Sequence, residues 1–466
     1  MNDTIHIGHA FQKIAADVLA RYHRATLGKD NVFFLTGTDE YGQKAEKAAK
    51  NAGISPLEFV RKIAATDKEQ QDSLNISYDR FIRTTDPDHT EVVKEIWNRV
   101  QKSGDVYSGE YEGSYCEGCE AYYAKEDLID GQCSVHPTLK IKTIKEENYF
   151  FKWSKYKNFL IDHIKKNSNF IYPTHRANEM LEFAKNIKDI PISRSNFTWG
   201  IPVPNDPKQV IYVWFDALAN YLTGVGFLKD KKLFDKFWPA DVHILGKDNL
   251  RWHALLWPAM LKSANIELSK TILVNGFLNI NGQKISKSIG NVIRPSEWVK
   301  KYGADTVRYY LLRYTNITED SDISEEKLKQ AYNSDLANGL GNLIARVAKL
   351  AENSNYTQMV SVNKTSSHLL DVEEYSSAFA KFRFNDALSF VWGKITSLDK
   401  FINEEKPWEL AKTNSSKLRS VLSHSIDQLQ EIAVLLEPFF PETAEKIEKQ
   451  FRGPKIASQK PLFPRI

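Results

Sequence analysis

Three cysteines and one histidine have the spacing with the clearest chemical meaning. Cys116-x2-Cys119 and Cys133-x2-His136 are two short chelating pairs separated by thirteen residues, and they use every cysteine in the chain. Two pairs on tight turns can aim four ligands at one ion at small entropic cost, which is what a tetrahedral zinc site needs. Four protein ligands leave no position open for water, so the metal is expected to be structural, stabilising a knuckle with little core of its own. The second chemistry within reach is phosphate handling. His6-Ile7-Gly8-His9 opens a segment of helical periodicity. Gly8 permits close backbone approach, a helix start offers unpaired N–H groups and a positive dipole end, and two imidazoles can donate to phosphate oxygens. Lys284-Ile285-Ser286-Lys287-Ser288 lies between Gly282 and Gly290. On a loop loosened by glycines, these lysines suit closure over a polyphosphate and stabilisation of charge in a transition state. Alone, such motifs are more often surface histidines at a helix start and a solvated basic loop. Together, on either side of a split α/β region, they are far more specific.

These residues need a scaffold, and its texture is legible. Phe11, Ile14, Ala15, Val18, Leu19 and Tyr22 recur at helical spacing after His9, followed by a β-rich run from Val32 to Thr36 ended by Gly37. A second helical stretch covers Tyr41 to Ala52. Such alternation predicts a parallel sheet with crossover helices. From Val106 to about Pro137, Gly, Cys, Tyr and short loops dominate. Strand texture returns at Val210–Phe215, Val242–Leu245 and Ile272–Val274. From Glu325 onward the pattern is almost wholly helical, broken at Asn353–Thr365 and at Lys406-Pro407, as in a helical bundle.

Composition sets the outer bounds. The 466 residues are 42% hydrophobic and 26% charged, which excludes global disorder. The balance of 63 basic and 59 acidic residues, +4, is too mild to establish a nucleic-acid partner. No apolar run reaches the roughly 18 residues of a membrane span, and the start lacks the features of a signal peptide. The expectation is a cytoplasmic protein with no membrane partner.

The histidine and lysine motifs resemble the HIGH and KMSKS signatures of class I aminoacyl-tRNA synthetases. The whole pattern, from Asn2 to Ile466, is similar to the methionyl-tRNA synthetase family in its bacterial form with one zinc knuckle; Ile285 replaces the usual methionine of the second signature. The resemblance implies an α/β fold: a Rossmann-like catalytic domain over 1–105 and 206–281, split by a connective insertion over 106–205 with its knuckle at about 112–147. A linking fold with the lysine loop at 282–325 and an all-α anticodon-binding bundle at 326–466 follow. It implies ATP, accompanied by magnesium, L-methionine and methionine tRNA, initiator and elongator, as substrates. By resemblance His6, His9, Lys284 and Lys287 are catalytic, while Gly8, Gly246, Asp248 and Lys287 bind ATP. Asp39 matches the carboxylate that binds the substrate ammonium, Arg194 its ion-pair partner, and Trp214, Tyr221 and His253 the methionine pocket. Asn249 stands where the family more often has an aliphatic residue. Asn342, Arg346 and Trp408 match anticodon-reading positions. A monomer is expected, because no C-terminal dimerisation extension is seen.

One departure concerns the N-terminus. In the family a central strand precedes the histidine motif, and Met1 stands where that strand ends. Its absence implies two strands left without their usual neighbour, and weak activity for the chain as written. The alternative function is an N-terminally truncated, synthetase-derived tRNA-binding protein with little catalysis. Enzymes for the branched amino acids need a larger editing insertion, and the cysteine enzyme places zinc in the substrate pocket. A small nucleotidyltransferase is shorter.

Overall fold

A computed structural model describes residues 3–119, 121–123, 128–134, 136–285, 290–357, 370–413 and 415–466. The chain divides into two compact units. One comprises Met1–Thr4, Leu35–Glu69 and Tyr78–Asn275, the other Ile5–Phe34, Gln70–Ser77 and Gly276–Ile466.

In the first unit, β1 (Leu35–Thr38) pairs in parallel with β2 (Arg80–Arg83). The strands come so close at Gly37 that a Cβ there would lie 1.9 Å from the Ile82 carbonyl oxygen, so only glycine fits. An antiparallel sheet of order β4-β3-β5-β7 follows, formed by β3 (Val106–Cys116), β4 (Ala121–Tyr123), β5 (Lys142–Phe151) and β7 (Ile190–Pro191). Here the structure departs from the loop-rich expectation. The small and polar residues of this region belong to a long ribbon, Val106 opposite Phe151 through Tyr115 opposite Lys142. The face that β5 buries carries Glu146 and Asn148, so burial alternates there while hydropathy does not. A short antiparallel sheet of order β8-β10-β9 contains β8 (Ser193–Arg194), β9 (Pro202–Val203) and β10 (Asp206–Ile211).

A second parallel ladder, β11-β12-β6, joins β11 (Val242–Gly246), β12 (Thr271–Asn275) and β6 (Ile171–Tyr172). The β11 and β12 segments lie where the sequence places them. Val213–Phe215 do not extend β10: they begin the helix Val213–Leu218. A short fully apolar run suits a buried helix as well as a strand, and the buried Asp216–His89 contact selects the helix. Among the described residues no strand joins the β1-β2 ladder to the β11-β12-β6 ladder.

In the second unit the helix Ile7–Leu27 buries Ile7, Phe11, Ile14, Ala15 and Val18 on one face. A small sheet, β14-β13-β15, combines β13 (Leu278–Ile280), β14 (Gln283–Lys284) and β15 (Ser321–Ile323). Helices then dominate. Phe384–Glu405 ends at Lys406 in the left-handed conformation (φ 47°) and Pro407 opens the next helix, Pro407–Thr413, at the predicted break. The Asn353 break coincides with the end of the helix Asn342–Asn353; its continuation at 358–369 lies outside the described residues. Among the described residues no helix is long and apolar enough to cross a membrane.

Candidate active site and metal cluster

The structure gathers Cys116, Cys119, Cys133 and His136, one ligand atom from each lying within 4.8 Å of the others. Cys119 Sγ is 3.5 Å from Cys133 Sγ and 3.2 Å from His136 Nδ1, and Cys116 Sγ is 4.0 Å from that nitrogen. Zinc bonded at about 2.3 Å to sulfur and 2.0 Å to nitrogen sets neighbouring ligands about 3.5–3.8 Å apart, so the donor set fits that ion. Burial raises the Cys116 thiol and pushes Cys119 up to about 12, so a cation here has to displace protons to bind thiolates. A Cβ on Gly118 would sit 2.4 Å from His136 Cγ, so the turn between the first two cysteines requires glycine. Lys44 donates to the Gly118 carbonyl, and Lys47 pairs with Glu117 at 3.6 Å, tying the knuckle to the helix Gln43–Asn51.

Three residues expected in the amino-acid pocket come together. The hydroxyl of Tyr221 is 2.8 Å from His253 Nε2, and Trp214 meets His253 edge-on at 6.5 Å between ring centroids. His253 Nδ1 lies 3.0 Å from the Asn249 carbonyl oxygen, which only accepts, so Nδ1 carries the proton and Nε2 accepts from Tyr221. The contact uses the backbone of Asn249, whatever its side chain. Burial holds His253 down to about 4 and raises Tyr221, so both groups are neutral. His243 on β11 lies 4.1 Å from Tyr221, the rings tilted by 45°, and is held to about 3, by burial first and then by His253. Trp252 stacks on Trp214 at 5.0 Å.

The charged groups are placed differently. Asp39 is exposed just past the carboxyl end of β1, and Asp248 is exposed just past that of β11, after Gly246. Carboxyl ends of parallel strands are where such sheets take ligands. Arg194 is buried, and its Nε donates to Glu146 Oε2 at 3.2 Å while its guanidinium lies 4.4 Å from the Tyr115 ring. Glu146 is thus a carboxylate partner of Arg194 that the sequence reading did not single out.

In the second unit, His6 is the N-cap of the helix Ile7–Leu27. Its Nδ1 accepts from Gly8 N–H at 3.1 Å, and His9 Nδ1 accepts from His6 N–H at 3.3 Å. With Nδ1 accepting in each ring, Nε2 carries the proton, the form that donates to phosphate oxygens. A Cβ on Gly8 would meet the His6 ring at 2.9 Å and Ile285 Cδ1 at 3.5 Å. The Ile7 N–H donates to the Ile293 carbonyl at 2.9 Å, and Arg294 donates to the Ile5 carbonyl at 3.1 Å. The histidine turn and the segment around the lysine loop are therefore laced together. Lys284 is exposed on β14; Lys287 lies outside the described residues.

Asn342 and Arg346 share the helix Asn342–Asn353, and Arg346 reaches across to Asp399 and Asn403, each at 2.6 Å. Trp408 is 44% exposed on the helix Pro407–Thr413, so it is not the core residue its type favours.

Sequence reasoning passed over several groups. Glu40 is fully buried and takes Arg83 through two bonds of 2.7 and 2.8 Å, fixing the turn that carries Asp39. Its signal was an acidic residue next to Asp39 at a strand end. His89 and Asp216, both buried, are joined at 2.7 Å; neither has a local pattern that announces a partner 127 residues away.

Parallel ladders interrupted by an antiparallel insertion with a Cys3His cluster, and a histidine turn laced to a lysine hairpin, are the parts of a class I synthetase. A family model for class I tRNA synthetases (M) matches residues 1–142 and 118–348. The methionine–tRNA ligase of Caldanaerobacter subterraneus subsp. tengcongensis is 40% identical, with alignment over 100% of this chain and 77% of the relative. That of Thermotoga maritima is 40% identical over 96% of this chain and 73% of the relative. The structure of Mycobacterium tuberculosis methionyl-tRNA synthetase in complex with methionyl-adenylate matches with a TM-score of 0.91 at 36% identity, covering 100% of this chain and 97% of that one. The chain belongs to the methionine–tRNA ligase family.

Proposed function

We propose that the chain activates L-methionine with ATP and transfers it to methionine tRNA. The carboxylate of methionine attacks the α-phosphorus, pyrophosphate leaves, and a hydroxyl of the terminal tRNA ribose then attacks the carbonyl of the adenylate and releases AMP. Neither step needs a nucleophile from the protein, so the protein supplies positioning and charge stabilisation. The observation that carries the reading is the lacing of the histidine turn to the lysine hairpin, from Ile7 to Ile293 and from Arg294 to Ile5. His6 and His9 donate from Nε2 to phosphate oxygens, and Lys284 and Lys287 stabilise charge on the departing pyrophosphate. Gly8 lets the phosphates approach, and magnesium accompanies ATP. Gly246 admits the ribose and Asp248 accepts from its hydroxyls. Asp39 and Arg194 serve the charged end of methionine; Trp214, Tyr221 and His253 serve its thioether, for which flat rings are favourable neighbours. Asn342, Arg346 and Trp408 read the anticodon.

Exchange of labelled pyrophosphate into ATP, tested amino acid by amino acid, checks this: methionine supports it, and isoleucine, leucine, valine and cysteine do not. Equal support by several amino acids, or tRNA binding with no exchange, defeats the reading.

Cys116, Cys119, Cys133 and His136 hold one zinc ion, which supplies cross-linking to the knuckle and takes no part in the reaction. Cys119→Ser is expected to lose the metal and destabilise the chain more than it weakens methionine binding. Metal content and melting temperature measure this; unchanged zinc in the variant refutes the ligand set.

A further inference from the structure

One cation beside the pocket has no part in the reaction as described. Among the described residues the guanidinium of Arg251 makes no hydrogen bond and no ion pair; its neighbours are rings. Its central carbon lies 5.2 Å from the Tyr123 ring on β4, 5.2 Å from Phe183 on the helix Thr174–Ala184, and 4.4 Å from Trp252. A planar guanidinium stacks on aromatic faces in a way an ammonium does not. The row continues in both directions. Trp252 is nearly parallel to Trp214, at 5.0 Å and 18°. At the other end the Tyr123 hydroxyl donates to Cys119 Sγ at 3.1 Å, a member of the metal cluster. Thiol, phenol, guanidinium and two indoles thus form one unbroken line from the knuckle to the pocket.

We propose that Arg251 is a positioning residue through which the knuckle strand β4 sets the tilt of Trp252, and hence of Trp214, the wall of the amino-acid pocket. The proposal rests on the reading of Trp214 as a methionine-pocket residue. A wall held from one side only is free to turn, so losing either Tyr123 or Arg251 has the same consequence, and losing both adds nothing. Ordinary packing makes no such demand, because independent losses multiply.

The test uses Arg251→Met, which keeps the bulk and removes the plane, Tyr123→Leu, and the double variant, all in the full chain. Each single variant is expected to raise KM for methionine about tenfold in pyrophosphate exchange, with KM for ATP moving much less. The double variant stays near the same tenfold value. Tyr123→Phe, which keeps the ring, stays near wild type. The change in tryptophan fluorescence on adding methionine shrinks in parallel with the loss. Multiplying effects in the double variant, or equal rises in the two KM values, overturn the proposal. A wild-type chain whose exchange and fluorescence ignore methionine overturns the pocket reading as well, which separates the two failures.

Discussion

Lys284→Ala is expected to slow methionine-dependent pyrophosphate exchange by about 10²–10³-fold, the usual loss when one group aimed at developing charge is removed. The reason to choose this lysine is its exposure. It is exposed on β14, and the Asn291 amide that bonds to it uses its carbonyl oxygen, which alanine keeps. Its ammonium is 5.7 Å from the Phe277 ring, an exposed contact of modest strength. The melting temperature should hardly move, since surface substitutions of this kind change stability by about 0.5 kcal/mol or less. The loss should fall on the rate, with KM for methionine little altered, because the charge is needed as pyrophosphate departs. A variant that exchanges within about threefold of wild type removes Lys284 from the reaction.

Asp17→Ala is expected to cost about 3–5 kcal/mol of stability, the range for stranding one member of a buried ion pair. Asp17 and Arg308 are both fully buried and meet at 2.7 Å. Asp17 also takes Ser77 N–H and hydroxyl at 2.6 Å and Arg21 at 2.8 Å, while Arg308 donates to the carbonyls of Leu74, Pro438 and Phe439. Four segments distant in sequence meet at this point, among them the helix that carries the histidine turn. Replacing both charges, as Asp17→Leu with Arg308→Met, should recover much of the loss, because an apolar pair strands nothing. A pH series gives an independent reading. Burial pushes the Asp17 carboxyl up, but Arg308, Arg21 and Ser77 outweigh it and hold the group below its ordinary value. A depressed carboxylate stabilises the fold fully above the unfolded value, about 3.9, and that contribution fades as pH falls through the lower folded value. The wild type should therefore shed this stability only below about pH 4, and Asp17→Ala should lack that acid-dependent part. Chemical denaturation across the pH range measures both; matching acid limbs would discount the pair.

The legible parts of this molecule are those in which chemistry is local. The cysteine pairs are two short turns, and their spacing alone assembled the cluster that the structure brings within 4.8 Å. The helix at His6 and the strands at Val242 and Thr271 carry their patterns within a few residues. What escaped is what depends on distant partners. Val213–Phe215 has strand composition, yet Asp216 seeks His89 and the segment coils. Glu40 and Glu146 look like any acidic residue until Arg83 and Arg194 arrive from elsewhere in the chain. The ribbon of β3 and β5 hid because its buried positions include Glu146 and Asn148, polar residues that give no apolar alternation.

The rings around Tyr221 have a consequence for selectivity. Burial holds His243 down to about 3 and His253 to about 4, so both imidazoles are neutral near neutral pH. If these rings line the methionine pocket as proposed, a lysine or glutamate side chain entering it would forfeit hydration and find no charged partner on His243, His253 or Tyr221, so charged amino acids would be disfavoured. Mild acidification leaves that discrimination intact.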